Sequence, residues 1–164
     1  MDHCLVRLNY THVFLTGGFD ESGYTAASYF YSKATGFLRA PDMLGKRVRH
    51  ACGLHDGRFV FVAGGDGDDW KITKKSSEYF DLETLTWHKG PSVDTYDYGY
   101  HLVSWGSRTY CIGRTKIWEL VVTGEDEDDG SLEWEWVVVG ETETDRRSNF
   151  QAFLVSYEDC KSWK

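Results

Sequence analysis

Histidine is the side chain that most often transfers protons or binds metals near neutral pH. The chain has six histidines, His3, His12, His50, His55, His88 and His101. None of them is spaced as HxxxH or HExxH, the patterns that hold zinc on one face of a helix. His3, His50 and His101 recur 47 and 51 residues apart, which predicts one structural position in a repeat. A metal site formed by these three histidines is the alternative interpretation.

Other catalytic and binding motifs are absent from the sequence, which has no GxSxG, no P-loop and no GxGxxG opening a helix. Residues 64–67 are glycine-rich but are predicted to join two strands. The acidic run Glu125–Asp129 departs from the EF-hand pattern, because Gly130 at the loop glycine would put Trp136 at the last ligand position. We interpret this run as a solvated loop tip, with binding of a basic peptide as the alternative. The sequence therefore predicts no catalytic residue, no metal and no cofactor.

The composition favours a single all-β domain. A chain of 164 residues has the length of one domain. Aromatic residues make up 16% of it, and 17 glycines accompany two prolines, as is typical of short strands joined by tight turns. The net charge of −8 opposes binding to nucleic acids or anionic membranes, which attract lysine and arginine.

The N-terminus and the cysteines predict the compartment. The start of the chain has no signal-peptide core, and no apolar run approaches the roughly 20 residues of a membrane helix. The four cysteines, Cys4, Cys52, Cys111 and Cys160, contain no CxxC pair, so a thiolate zinc site is not expected. We predict a cytoplasmic protein whose cysteines are reduced and packed in strands.

An internal repeat organises the chain. Residues 3–18 align with residues 50–65 at an offset of 47, which superposes Gly17-Gly18 on Gly64-Gly65. Residues 29–43 align with residues 79–93 at an offset of 50, which superposes Tyr29 on Tyr79 and Phe37 on Trp87. The extra residues fall in the loop after the double glycine, where insertions cost little. A third, weaker copy begins at His101.

Each copy is predicted to form four short strands. In the second copy the alternation of valines with Phe61 and Ala63 has the period of a strand, and we expect strands at about 50–54, 58–63, 77–82 and 86–89. Asp56-Gly57 predicts a tight hairpin turn between the first two. In the third copy we expect a strand and glycine within 108–114, then strands at 116–122 and 133–140. Residues 150–157 are predicted as one extra strand.

The repeat resembles the kelch family of β-propellers. The residues that carry the resemblance are the two double glycines after apolar strands, Tyr29 and Tyr79, and the aromatic pair Phe37 and Trp87. Four-stranded units with a period near 50 residues are the signature of kelch blades. The resemblance implies a partial kelch-type propeller over residues 1–164, with blades at about 3–43, 50–93 and 101–140. WD-type propellers differ in having a shorter period and a Trp-Asp dipeptide, which this chain lacks.

The kelch resemblance also implies where a partner binds. Kelch ligands are typically bound on one face, by the loops between the second and third strands and by the loops between blades. Arginine and large aromatic residues, the types that dominate interfaces, are frequent in those loops here. The predicted partner-binding residues are Tyr24, Arg47, Arg49, Asp68, Trp70, Tyr96, Tyr98, Arg146 and Arg147, with Asp20 beside them. Because arginine binds carboxylates through paired hydrogen bonds, we expect an acidic segment of a protein or peptide as the ligand.

The predicted function is a non-catalytic protein–protein interaction module. Membership of the kelch family implies either the substrate-recognition part of a cullin-type ubiquitin ligase or actin binding. Three blades do not close a ring, because closed propellers have at least four. The chain is therefore a fragment, an open arc of blades, or a half that closes by self-association. Two other functions stay open: a galactose-oxidase-like copper enzyme fragment, disfavoured because Tyr110 and Cys111 are predicted on opposite strand faces, and a truncated relic without function.

Overall fold

The computed structural model describes residues 2–67, 75–93, 100–126 and 132–141, and all regular secondary structure in these ranges is β-strand. The strands in chain order are β1 (Cys4–Arg7), β2 (His12–Thr16), β3 (Phe19–Asp20), β4 (Gly23–Tyr24), β5 (Ser28–Ser32), β6 (Gly36–Ala40), β7 (Ala51–His55), β8 (Phe59–Ala63), β9 (Ser77–Asp81), β10 (Thr86–Lys89), β11 (His101–Trp105), β12 (Arg108–Ile112), β13 (Lys116–Glu125) and β14 (Leu132–Glu141). No described segment forms a helix with the length and hydropathy needed to cross a membrane.

The strands build three four-stranded antiparallel sheets that follow one another along the chain. Sheet 1 has the order β1-β2-β5-β6, sheet 2 the order β7-β8-β9-β10, and sheet 3 the order β11-β12-β13-β14. The short strands β3 and β4 form a separate hairpin within the β2–β5 connection. The all-β class, and the strands predicted for the second and third copies, are confirmed to within a few residues. The extra strand predicted at 150–157 lies outside the described residues.

The predicted turn at Asp56-Gly57 is confirmed by its backbone. Asp56 has a φ of 50° and Gly57 a φ of 68°. Two successive residues with positive φ are required by the hairpin turn whose twist matches that of the flanking strands. The turn joins β7 to β8, whose register runs from Ala51 opposite Ala63 to His55 opposite Phe59.

Two apolar clusters hold the sheets face to face. The first lies between sheets 1 and 2 and includes Phe14, Val60, Phe80 and Trp87. The second lies between sheets 2 and 3, and its buried members are Ala51, Phe59, Phe61, Ala63, Tyr79, Val93, Tyr100, Cys111, Trp118, Leu120 and Trp136. Sheet 2 therefore has both faces covered, and every residue of β8 and β9 is buried.

Tyr79 and Trp87 lie on neighbouring strands, as the sequence predicts, but they point to opposite faces of sheet 2. Trp87 pairs with Phe80, and Tyr79 pairs with His88. Trp87 reaches toward sheet 1, where its ring centroid is 6.2 Å from that of Phe14 and its indole N–H donates to the carbonyl oxygen of Pro41 at 3.0 Å. The two aromatic residues thus fill two different spaces between sheets.

The superposition of Tyr29 on Tyr79 is wrong by one residue. In sheet 1 the residue opposite Phe14 is Phe30, and in sheet 2 the residue opposite Phe61 is Tyr79. Since Phe14 and Phe61 correspond at the offset of 47, Tyr79 corresponds to Phe30. A shift of one residue moves a side chain to the other face of a strand. The superposition of Phe37 on Trp87 is correct. Phe37 pairs with Tyr31 and Trp87 pairs with Phe80, and Tyr31 corresponds to Phe80 once Phe30 corresponds to Tyr79.

The prediction of four reduced cysteines is also wrong, because Cys4 and Cys52 form a disulfide across 6.1 Å between their Cα atoms. Their separation of 48 residues is close to one repeat, so both stand on the first strand of adjacent sheets. Cys111 is a free buried cysteine, as predicted, and burial raises the pKa of its thiol. Cys160 lies outside the described residues. Structural disulfides are most common in oxidising compartments, so the Cys4–Cys52 disulfide does not support the predicted cytoplasmic location. That location stays a prediction.

We expect Trp87→Ala to lower the free energy of unfolding by about 3–5 kcal/mol, because it opens a cavity between sheets 1 and 2. Urea denaturation measures the change. The matched control is Tyr10→Ala, which removes an aromatic ring that is 95% exposed and should change stability by less than about 0.5 kcal/mol. Equal stabilities of the two variants would contradict the assigned packing of Trp87.

Candidate functional site

The double glycines define one edge of sheets 1 and 2, which we call the glycine edge (residues 17–27, 41–50 and 64–67). Gly17 and Gly65 have φ values of 60° and 87°, which glycine adopts without strain. A Cβ on Gly17 would lie 2.3 Å from the carbonyl oxygen of Arg47, and a Cβ on Gly65 would lie 2.5 Å from that of Val48. The two double glycines therefore enclose the segment at residues 47–50 that leads from sheet 1 into sheet 2.

Arg47, predicted to bind a partner, is instead a buried residue with 2% exposure. Its Nε and Nη2 donate to one carboxylate oxygen of Glu78 at 3.0 and 2.7 Å. Its Nη1 donates to the carbonyl oxygen of Gly64 at 2.9 Å, and Nη2 to the hydroxyl of Ser76 at 2.8 Å. The other Glu78 oxygen accepts from the backbone N–H of Leu44 at 2.6 Å. The guanidinium thus fixes the junction of the two sheets and is not presented to a partner.

Arg49 stands two residues further on and is presented to solvent. Its side chain is 66% exposed, and its Nη2 lies 3.0 Å from a carboxylate oxygen of Asp66. Its backbone φ is 55°, a left-handed conformation that is uncommon for residues other than glycine and asparagine. Its backbone N–H donates to the carbonyl oxygen of Asp2 at 3.1 Å. Of the two neighbouring arginines, only Arg49 has the exposure that the predicted role requires.

Tyr24 lies at the same edge, on the short hairpin of β3 and β4. It is half-buried and packs edge-on against Phe19, with the ring centroids 5.7 Å apart. Asp20 closes the hairpin, because its carboxylate accepts from the hydroxyl of Ser22 at 2.6 Å and from its backbone N–H at 2.8 Å. These hydrogen bonds, the hydroxyl one foremost, lower the pKa of Asp20. Asp20 therefore stabilises the hairpin turn through both of these hydrogen bonds.

Sequence reasoning missed two residues of this edge. Phe19 is 60% exposed and supplies an apolar surface beside Tyr24. Asp66 holds the guanidinium of Arg49. Both follow a double glycine within two residues, so their place in the predicted loops was a usable signal. Six of the predicted partner-binding residues lie outside the described residues: Asp68, Trp70, Tyr96, Tyr98, Arg146 and Arg147.

His50 completes the enclosed segment and is structural, as its place in the repeat predicts. Its ring Nε2 is 2.8 Å from the hydroxyl of Thr16, and it is 7% exposed. Burial, followed by the charge of Arg47, lowers the pKa of His50 from 6.5 to about 3. Burial also lowers the pKa of His55, whose Nδ1 is 3.0 Å from the hydroxyl of Thr109. Both imidazoles are therefore neutral in the folded protein at neutral pH.

Other groups with chemical potential are dispersed. No group of three or more histidine, cysteine, aspartate or glutamate residues that could hold a metal occurs within the described ranges. Cys111 is buried and the adjacent Tyr110 is half-buried, in line with their predicted placement on opposite faces of β12. A cavity of about 1130 Å³ lies away from the glycine edge, between the β1–β2 and β5–β6 turns, and is lined by Tyr10, Tyr31 and Lys33 among others.

No protein-family model matches the chain, and no curated protein sequence matches it significantly.

We expect Arg47→Ala to cost about 3–5 kcal/mol of folding stability, because it leaves the carboxylate of Glu78 buried without a counter-charge. Arg49→Ala is the matched control and should cost less than about 1 kcal/mol, since its ion pair is exposed on the arginine side. Urea denaturation of both variants tests the distinction. If both arginine variants lost little folding stability, the buried Arg47–Glu78 pair would not be what stabilises the junction of sheets 1 and 2.

We expect stability to fall as the pH drops below 6.5. The pKa of His50 is lower in the folded chain than in the unfolded chain, so the unfolded chain binds protons more readily between pH 6.5 and about 3. His50 should account for a loss of about 2–3 kcal/mol between pH 7.5 and 4.5, with His55 adding in the same direction.

Urea denaturation at these two pH values measures the slope. His50→Gln should remove most of the share that belongs to His50, whereas Leu85→Ala, at an exposed residue that does not titrate, should leave the slope unchanged. A His50→Gln protein with the full pH dependence would rule out this histidine as its source.

Proposed function

We propose that the three sheets are blades of a kelch-type β-propeller and that the chain is a non-catalytic protein-interaction module. Three features of the described residues support this. Each sheet is antiparallel and pairs its four long strands in chain order. Aromatic residues fill the spaces between successive sheets. The double glycines of sheets 1 and 2 lie at one edge, on the side where kelch propellers typically bind their ligands.

We propose the glycine edge as the binding surface and an acidic protein segment as its ligand. The observation that carries this is Arg49, whose guanidinium is 66% exposed while its backbone is held at a φ of 55°. A non-glycine residue in this conformation costs about 1 kcal/mol or more, and such strain concentrates at functional sites. Glycine would adopt this backbone conformation with less strain. We therefore infer that arginine stands at position 49 because its side chain has a binding role.

The ion pair with Asp66 fits a role in carboxylate recognition. It holds the Arg49 guanidinium at 3.0 Å from one carboxylate, while two thirds of the side chain stays open to solvent. Arginine offers five N–H donors, so a carboxylate of the partner can bind the side that Asp66 leaves free. A partly immobilised arginine loses less rotamer freedom on binding than a mobile one.

The Phe19–Tyr24 pair supplies the apolar part of the proposed surface. Phe19 is exposed on the same edge, and Tyr24 supports it from the other strand of the hairpin. Aromatic anchors next to an arginine are the combination that carries most of the energy in protein interfaces. Substrate recognition in a cullin-type ubiquitin ligase and actin binding are the two cellular settings that the kelch resemblance implies for this surface.

A peptide library displayed on phage, selected on the immobilised chain, tests the proposal. We expect enriched peptides to be acidic. One of them should bind wild type more tightly than its Asn/Gln counterpart, as measured by fluorescence polarisation. Arg49→Gly should weaken this binding by roughly 10–100-fold, the worth of a charge-assisted hydrogen bond.

The Arg49→Gly variant should leave the urea midpoint nearly unchanged, because glycine accepts the left-handed backbone. Arg49→Lys keeps the charge but loses the paired hydrogen bonds, so an intermediate affinity is expected. Lys33→Ala removes an exposed charge at the opposite edge and is the matched control. Enriched peptides without acidic residues, or equal affinities of wild type and Arg49→Gly, would refute the assignment.

A further inference from the structure

Sheet 1 has one face packed on sheet 2 and one face that no other described residue range covers with a sheet. The open face consists of two rows of paired residues, Leu5–Leu15–Tyr29–Arg39 and Arg7–Val13–Tyr31–Phe37. Leu5 is 55% exposed and Phe37 is 64% exposed, although the Phe37 ring packs at a tilt against Tyr31 with the ring centroids 4.7 Å apart. Exposed apolar surface of this kind marks an interaction site.

The strand register indicates which kind of surface this face packs against. The corresponding rows of sheet 2 are Cys52–Val62–Glu78–Lys89 and Leu54–Val60–Phe80–Trp87. Those rows form the face of sheet 2 that packs on sheet 1. Phe37 thus occupies the position of Trp87, which is 9% exposed and contacts Phe14 of the preceding sheet. The open face of sheet 1 has the pattern of a face that packs on a preceding sheet.

Sheet 3 repeats the same contact. Trp136 lies on the outermost strand of sheet 3 and is 7% exposed. Its ring centroid is 6.4 Å from that of Phe61 of sheet 2. Phe61 corresponds to Phe14 at the offset of 47, so Trp136 meets sheet 2 as Trp87 meets sheet 1. Of these three outer-strand aromatics, Phe37 is the exposed one.

The outer face of sheet 3 has the complementary pattern. Its central row is Val103–Tyr110–Glu119–Val137. This row corresponds to Val6–Phe14–Phe30–Leu38 of sheet 1, the row that receives Trp87. Tyr110 therefore stands where Phe14 stands, and Val137 is 39% exposed. A receiving face and an open inserting face are present at the two ends of one chain.

The charges of the two end faces are opposite. The open face of sheet 1 carries Arg7 and Arg39, both exposed, of which Arg39 is ion-paired with Asp42. Among the described residues, the outer face of sheet 3 carries Glu119 and Glu135 against one arginine, Arg108, which binds Glu119 through two hydrogen bonds of 2.7 and 3.2 Å. Opposite charges favour contact between the two different faces and oppose contact between two copies of the same face.

We propose that two copies of this chain associate head to tail, the open face of sheet 1 in each copy packing on the outer face of sheet 3 in the other. Each copy then supplies one inserting and one receiving face, and two identical contacts close a ring of six sheets. The inference rests on the proposed propeller arrangement of the three sheets, because two copies close a ring only if successive sheets turn about one axis. It does not depend on whether the glycine edge binds an acidic segment.

Light scattering after size-exclusion chromatography tests the proposal on the full chain. We expect a mass twice the 18.8 kDa of one chain, independent of concentration in the micromolar range. Phe37→Asp and Val137→Asp should each give a chain of single mass with an unchanged circular dichroism spectrum, since both residues are exposed in one copy.

Leu85→Asp is the matched control, because Leu85 is 49% exposed in the β9–β10 turn, outside both faces, and should leave the mass doubled. Single-chain mass for wild type would overturn the proposal and assign the open face to another occupant. A Val137→Asp protein that stays double would mean that two sheet 1 faces pair with each other. Masses that grow with concentration would overturn closure into a ring.

Discussion

The buried ion pair between Arg47 and Glu78 is the interaction on which the junction of the first two sheets depends. It joins the segment between the sheets to β9, and the same guanidinium satisfies the carbonyl oxygen of Gly64 after β8. A buried pair adds little net energy, because both charges lose their hydration. Its effect is selective: the guanidinium finds this set of acceptors only when the two sheets stand in this one arrangement.

Sheet 2 shows how the alternation of strand residues turns into an architecture of stacked sheets. Most antiparallel sheets bury one face and expose the other. Here Val60, Val62 and Phe80 face sheet 1, while Phe61 and Tyr79 face sheet 3, so β8 and β9 are apolar on both faces. Such a sheet needs a neighbour on each side. The same requirement, applied to the end faces of the three-sheet unit, is the reason for expecting a further contact there.

At the glycine edge, buried structural residues lie next to an exposed residue of the proposed binding site. Arg47, His50 and the double glycines are enclosed, with the imidazole held neutral by burial. Arg49, between them in sequence, has a left-handed backbone that turns its side chain out to solvent. The rigid enclosed residues thus position the exposed arginine. The proposed site lies on connections, while the sheets supply the fixed frame beneath it.

The sequence by itself determined the all-β class and the strand positions of the second and third copies, because strand alternation and turn residues are local signals. It also located the double glycines and the Asp56-Gly57 turn. Only the tertiary structure decided which arginine is buried, since Arg47 and Arg49 look alike in sequence and differ in whether Glu78 lies within reach. It also corrected the register of Tyr79 and paired Cys4 with Cys52, because both depend on which strands lie side by side. Contacts between residues about 50 positions apart are set by packing, which a local pattern does not encode.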